Sequence, residues 1–344
     1  MPLQKSNLNK NLIIEILKIE YGIEVINIQE LNRGSSNIFI IYSQNNKYIL
    51  KEFQNKRNKN TIEKEVKIIN FLKTRNINVP TYIKTKNDKY YIENANRVII
   101  LQEYIEGYNL KNNNANYEQI LESSRILGKL VKELSDYQKL NDDNIIEEQF
   151  SINALESGIV NMKNLRKEIH EDNIYKERIF SDINYKIKIS KELVKKFDFN
   201  IINKITITNS HGDYCVEQLI YRNNNEAVVI DFEKAKSLPI VWEIMRSYSY
   251  IDKTALNGKL NIDYMVDYFK EFNKYFKLNE NDLKYAPHIY LLQLIRSIFG
   301  YKEYNNDYSK KSLIEFALFR TRLCKYLYEN LNEISERLIK EVKT

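Results

Sequence analysis

The stretch HGDYCVEQLIYRNNNEAVVIDFEKA, residues 211–235, decides how the chain is read. His211, one of three histidines, stands just before Gly212 and Asp213. Gln218 follows on the same loop. Then an apolar run, AVVI, ends in Asp231, 18 residues beyond the first aspartate (213 to 231). A buried strand has no use for such a cluster of polar groups, each of which would need a partner inside the protein. RNNNE, between the two apolar runs, is rich in residues that tolerate turn conformations. The segment therefore reads as a hairpin that brings the Asp213 loop and Asp231 together.

This β-rich island, from about Ile205 to Phe232, lies in an otherwise helical region. Helical spacing covers 117–139, 153–171, 175–198, 240–256, 262–276, 282–300 and 309–341. The first third differs. EVINIQEL (24–31), NIFIIYS (37–43) and KYILKEF (47–53) are β-branched or aromatic runs with partial alternation, and QNN (44–46) is a tight turn. Val66, Ile69 and Leu72 then mark a helix over 61–75, with Thr61 as its N-cap, and NINVP (76–80) ends it. YIKT (82–85), YYIE (90–93) and RVIILQEYI (97–105) read as further strands. The fold class is α+β: a small antiparallel β lobe with one helix, then a larger, mainly helical lobe. The expected division is 1–103 for the first lobe, 104–109 for a hinge and 110–344 for the second.

Bulk properties narrow the function. A chain of 344 residues is too long for one small core. With 43% hydrophobic and 29% charged residues, its composition is that of an ordinary globular protein. No apolar run approaches the ~20 residues of a membrane helix. The N-terminus is too polar for a secretory signal and reads as an amphipathic helix, so a cytoplasmic protein with no membrane partner is expected. Cys215 and Cys324 give neither a disulfide framework nor a zinc pattern. The net charge of +7 is spread without any block of five like charges. The densest basic stretch, NKRNKN (55–60), lacks interleaved aromatics, so no nucleic-acid partner is expected. The sequence carries no signal of oligomeric state.

Phosphoryl transfer from ATP needs a backbone loop over the phosphates, a lysine on them, and a carboxylate that orients the lysine. It also needs divalent cations on the β/γ oxygens and a carboxylate beside the attacking hydroxyl. Each part has a candidate, in the expected order. LNRGSSNIF (31–39) supplies the loop, with Gly34 for the turn and Ser35, Ser36 and Asn37 as small residues with N–H donors. Lys51, in an otherwise apolar strand, needs a partner, and Glu65 on the following helix is the candidate. Asp213 is the candidate base; Gln218 and Asp231 are the candidate magnesium ligands.

These residues resemble the aminoglycoside-phosphotransferase and choline-kinase type of small-molecule kinase. HGDYCVEQ is similar to that family's His-x-Asp-x-x-x-x-Asn motif, IDFEKA to its Ile-Asp-(Trp/Phe)-Glu-x-Ala strand, and LPIVWEIMRSYSY (238–250) to the helix that follows. LKEF, EKEVKIINFL, NVP and LQEYIEG resemble the family's small-lobe lysine, helix glutamate and inter-lobe segment. The resemblance runs from about residue 30 to 255. It implies a bilobal protein-kinase-like fold, ATP and Mg²⁺ as cofactors, and a small-molecule hydroxyl as acceptor. It also implies that Lys51, Glu65, Asp213, Gln218 and Asp231 take the roles above, that the backbone around Gln102, Glu103 and Tyr104 receives adenine, and that His211 supports the loop.

Gln218 departs from the family's asparagine, which opens an alternative: a catalytically weak pseudokinase or spore-coat-type scaffold. Cys215, where the family commonly has histidine, raises the question of a redox role. The acceptor is an aminoglycoside-like antibiotic, an amino alcohol, a sugar or an amino acid. Glu147, Glu148, Glu156, Asp252 and Glu303 are candidates for an acidic floor beneath a polycation, or else solvated helix residues. Trp242, Tyr248 and Tyr250 are candidates for a cage around a quaternary amine, or else core.

Overall fold

The computed structural model describes residues 6, 8–31, 36–53, 59–94, 96–140, 144–222 and 226–343. The chain packs as two units, one of Met1–Asn109 with Gln218–Lys234, the other of Leu110–Glu217 with Ala235–Thr344.

The first unit is built on an antiparallel sheet in the order β1-β2-β3-β5-β4. Its strands are β1 (Val25–Leu31), β2 (Asn37–Ser43), β3 (Lys47–Glu52), β4 (Ile92–Asn94) and β5 (Arg97–Glu103). Successive strand residues point to opposite faces. Ile28, Phe39, Ile41, Leu50, Ile99 and Leu101 therefore share one face, and Ile13 and Leu17 pack on it. Those two come from α1 (Lys10–Ile16) and the π-helical turn Leu17–Tyr21 that continues it, so the N-terminal helix is shorter than its sequence pattern suggests. Glu52 shares the face of Leu50 and is buried with Arg97 (3.0 Å) and Asn37 (2.7 Å). Lys51 is on the other face, opposite Ile38 and Ile100.

α2 spans Lys59–Thr74, so Thr61 is the third residue of the helix and not its cap. The helix stops at Asn76, whose φ of +59° lies in the left-handed region that asparagine tolerates. YIKT forms no strand of its own; only Tyr82 makes a bridge, to Gln102.

The segment 218–234, assigned from sequence to the helical lobe, packs with the first unit instead. β7 (Leu219–Tyr221) and β8 (Ala227–Val229) form the expected hairpin, with Leu219 opposite Val229. Hydrogen bonds hold it. Val229 donates its N–H to the Asn78 carbonyl at 2.9 Å. Tyr108 and Tyr221 exchange backbone bonds of 3.0 and 2.9 Å, and their rings stack at 5.8 Å. Gly107 makes that approach possible: its φ is +154°, and a Cβ there would meet the Tyr221 carbonyl oxygen at 2.4 Å.

The second unit is mainly helical. It comprises α3 (Tyr117–Ser135), α4 (Ile145–Phe150), α5 (Ile152–Glu168), α6 (Lys176–Lys196), α7 (Ile240–Ile251), α8 (Ile262–Asn273), α9 (Glu280–Ile295), α10 (Tyr301–Asn306), α11 (Lys311–Glu329) and α12 (Leu331–Val342). A strand pair, β6 (Ile207–Ser210) and β9 (Lys236–Pro239), carries the Asp213 loop at its end. β9 lies beyond the island read from sequence, because KSLP has no alternation to reveal it. The helix expected over 309–341 is broken at Asn330, whose side-chain N–H bonds the Tyr326 carbonyl at 2.7 Å. The helix expected over 282–300 ends at Ile295, and α10 starts after Gly300 (φ +94°), where a Cβ would meet the Leu313 carbonyl oxygen at 2.3 Å.

Many of the 26 tyrosines are core, as expected. Tyr248, Tyr268 and Tyr290 are buried, with hydroxyls bonded to the Asn261 carbonyl, Ser247 and Ser249. Each such ring buries a large area while its oxygen stays satisfied. Among the described residues no helix is long and apolar enough to cross a membrane.

Candidate active site

In the first unit, β8 runs straight into Asp231. This residue has φ +67°, a conformation that costs a non-glycine residue about 1–3 kcal/mol unless its surroundings impose it. One of those surroundings is Glu65. Its carboxylate is 2% exposed and accepts the Phe232 N–H at 3.1 Å. Glu65 thus grips the turn that presents Asp231. Gln218 is joined to the same turn by the backbone: the Ile230 N–H donates to its carbonyl at 3.0 Å.

β5 leads out along Gln102, Glu103 and Tyr104. Gln102 is buried, and its Nε2 has no hydrogen-bond partner among the described residues. The Glu103 N–H is taken by the Thr81 carbonyl at 2.9 Å, and the Tyr104 N–H by the Lys47 carbonyl at 3.2 Å. The Glu103 carboxylate accepts the Thr81 N–H at 2.8 Å. Gly34 and Ser35 lie outside the described residues. Ser36 and Asn37 are buried at the start of β2, and the Asn37 side chain is committed to Glu52.

In the second unit the Asp213 loop is fixed from below by α7. Glu243 is completely buried; its carboxylate accepts the Ser210 hydroxyl and the Tyr214 N–H, the latter at 3.0 Å. Gly212 turns the chain at φ +78°. Tyr214 donates its hydroxyl to the Ser123 carbonyl of α3 at 2.7 Å, and His211 packs edge-on against its ring. Asp213 itself receives Nη2 of Arg246, while Nη1 bonds the Tyr214 carbonyl at 3.0 Å. The guanidinium stacks on Tyr250 at 4.9 Å and Trp242 at 5.7 Å. Burial pulls the Arg246 pKa down, but Tyr250 and Asp213 more than offset it and hold the group charged.

Two expectations fall away here. Trp242, Tyr248 and Tyr250 are core: Trp242 and Tyr250 flank an arginine of the protein, which leaves no cage for an amine. Burial pushes the Cys215 thiol up to about 11, so it stays protonated and unreactive at neutral pH.

Glu243 and Arg246 are the residues that sequence reasoning missed. The signal was present: two charges three residues apart share one face of an otherwise apolar helix, which implies buried partners.

Among the described residues no group of three or more His, Cys, Asp or Glu side chains could hold a metal by itself. A magnesium site in a phosphoryl-transfer enzyme needs less, since one or two protein ligands suffice when phosphates and water complete the shell. Asp231 and Gln218, on one hairpin, fit that requirement.

Residues 27–275 match the family model described as phosphotransferase enzyme family. No curated protein matches the chain in sequence. Several solved structures share the fold. A spectinomycin phosphotransferase in complex with ADP and spectinomycin aligns at TM-score 0.67 and 16% identity, over 97% of this chain and 100% of that one. An amicoumacin kinase with AMP-PNP and Ca²⁺ aligns at 0.62 and 14%, over 95% and 94%. An ethanolamine kinase from Plasmodium vivax aligns at 0.60 and 17%, over 96% and 92%.

Proposed function

The chain belongs to the phosphotransferase enzyme family, and we propose that it moves the γ-phosphate of ATP to the hydroxyl of a small molecule, with Asp213 as base and Asp231 and Gln218 as magnesium ligands. The observation that carries the reading is Asp231 held in a left-handed turn by Glu65, directly after a buried strand. Strain of this kind clusters at functional sites, where a side chain must be presented at a fixed point.

The chain's own groups divide the work. Asp213 orients the acceptor hydroxyl and takes its proton. Arg246 holds that carboxylate in one rotamer before the acceptor arrives, which lowers the entropy cost of alignment. Glu243 does the same for the loop backbone. Lys51 binds phosphate oxygens. Asp231 and Gln218 would hold magnesium, which would supply charge neutralisation for the phosphates. The Glu103 and Tyr104 N–H groups are already spent on Thr81 and Lys47. The donor to adenine therefore falls to Ile105, one residue beyond the range read from sequence, with the Glu103 carbonyl as the acceptor. Soluble cytoplasmic action on a freely diffusing acceptor completes the reading.

A catalytically weak scaffold is the second reading. It draws on Gln218 in place of asparagine. Turnover separates the two. Purified protein with ATP and Mg²⁺ is expected to release ADP faster with a suitable hydroxyl acceptor than with water alone, at a rate abolished by chelation of the cation. Release at the buffer-blank rate for every amino alcohol, sugar, hydroxy acid and antibiotic supplied would favour the scaffold.

A further inference from the structure

In the second unit, the C-terminal end of α9 gathers cations that form no ion pair with a carboxylate among the described residues. Lys186, 2% exposed, donates to the Ser297 carbonyl at 2.8 Å. Arg320, 8% exposed, donates Nη1 to the Ser297 hydroxyl at 2.8 Å. Arg296 precedes that serine. The Nε atoms of Arg296 and Arg320 are buried without a hydrogen-bond partner. Arg296 forms no ion pair among the described residues; of the carboxylates, Glu148 is the one that acts on it. Asp182 acts on Lys186 but is already shared by Arg178 and Lys325.

Of the carboxylates proposed from sequence for an acidic floor, Glu148 acts on Arg296 through space, and none forms an ion pair with this cluster among the described residues. Asp252 caps the turn after α7, bonding Thr254 and Asn261, and Glu303 caps α10. Glu147 binds Asn153. A helix C-terminus attracts cations, which accounts for the Ser297 contacts, but it supplies only about half a negative charge. Three cations gathered at one helix end are not balanced by that.

The cluster is connected to Asp213 by aromatic rings. Arg320 lies over Phe316 at 5.5 Å, Phe316 meets Tyr250 at 6.1 Å, and Tyr250 carries Arg246. Phe299, 47% exposed, packs edge-on against Phe316.

Resting on the phosphotransferase reading above, we propose that the acceptor is an anion: a hydroxyl compound bearing a carboxylate or a phosphate, which Arg296 and Arg320 bind while its hydroxyl lies at Asp213. A buried cation without a counter-charge is costly, and an anionic ligand removes that cost. Guanidinium is suited to either group, because its donors match carboxylate and phosphate oxygens in pairs. The same charges repel a polycationic aminoglycoside or a quaternary amino alcohol.

The test is initial-rate ADP release by the full chain with ATP and Mg²⁺, against choline, kanamycin, glycerol, glycerate, homoserine and glycerol phosphate. Glycerate and glycerol phosphate separate carboxylate from phosphate recognition on one carbon frame. At least one anionic acceptor is expected to exceed choline, kanamycin and glycerol in kcat/KM by at least about tenfold. R296Q and R320Q are each expected to raise its KM by about 10–100-fold, the size of a lost charge-assisted hydrogen bond, with kcat and the KM for ATP little changed. Preference for choline or kanamycin, or an anionic acceptor whose KM ignores both substitutions, overturns the inference and leaves the phosphotransferase reading standing. Silence with every anion while Mg-ATP still binds overturns it too. Failure of the phosphotransferase reading looks different: no nucleotide binding in the unmodified protein.

Discussion

Asp213→Ala is expected to lower kcat by roughly 10²–10⁴-fold, the range for loss of a positioned general base. Affinity for Mg-ATP should change little, because the role proposed for Asp213 is on the acceptor hydroxyl and not on the nucleotide or its cation. The substitution also leaves Arg246 without its partner carboxylate, between Trp242 and Tyr250. Asp213→Asn is the cleaner probe, since it keeps the shape and one hydrogen-bond acceptor while removing the base. Steady-state kinetics of both variants, with nucleotide affinity measured separately, check the assignment. Equal turnover in wild type and Asp213→Asn would remove Asp213 from the chemistry.

Asp231→Ala is expected to fail differently. Losing the one carboxylate on the cation removes several kcal/mol of charge stabilisation, which corresponds to about 10³-fold or more in kcat/KM for ATP. The defect should appear in nucleotide affinity as well as in kcat, and added magnesium should recover part of it. The fold should survive: alanine lacks a carboxylate to desolvate, although it tolerates the left-handed φ of +67° less well than aspartate does. Wild-type affinity for Mg-ATP in this variant would place the metal elsewhere.

Much of this was legible in the sequence, for identifiable reasons. β1, β2 and β3 show partial alternation because one sheet face is buried under the N-terminal helix, β5 is a continuous apolar run buried on both faces, and the β7–β8 hairpin announces itself by a polar turn between two apolar runs. Asp213 is visible as one of a cluster of polar groups, and Asp231 as a carboxylate that ends an apolar run. Other features leave a weaker trace. The commitment of β7 and β8 to the first unit depends on backbone bonds to Asn78 and Tyr108 and on the Glu65–Phe232 contact, and backbone bonds between distant segments have no residue signature. β9 is too short to show a period. The break at Asn330 depends on one side chain bonding back to Tyr326 while the apolar pattern runs on. Arg246 reads as an ordinary charge until its neighbours are known. Lys51 lies on β3 opposite Ile38 and Ile100, and the bond from the Phe232 N–H to Glu65 has no signature in the sequence.

The most direct measurement is calorimetric titration of the wild-type protein with AMP-PNP, with and without Mg²⁺. A single binding site per chain whose affinity falls by at least about tenfold when the cation is withheld is the predicted result, since Asp231 and Gln218 act on the nucleotide only through the metal. Absence of heat in both titrations, or equal affinity in both, would contradict the account.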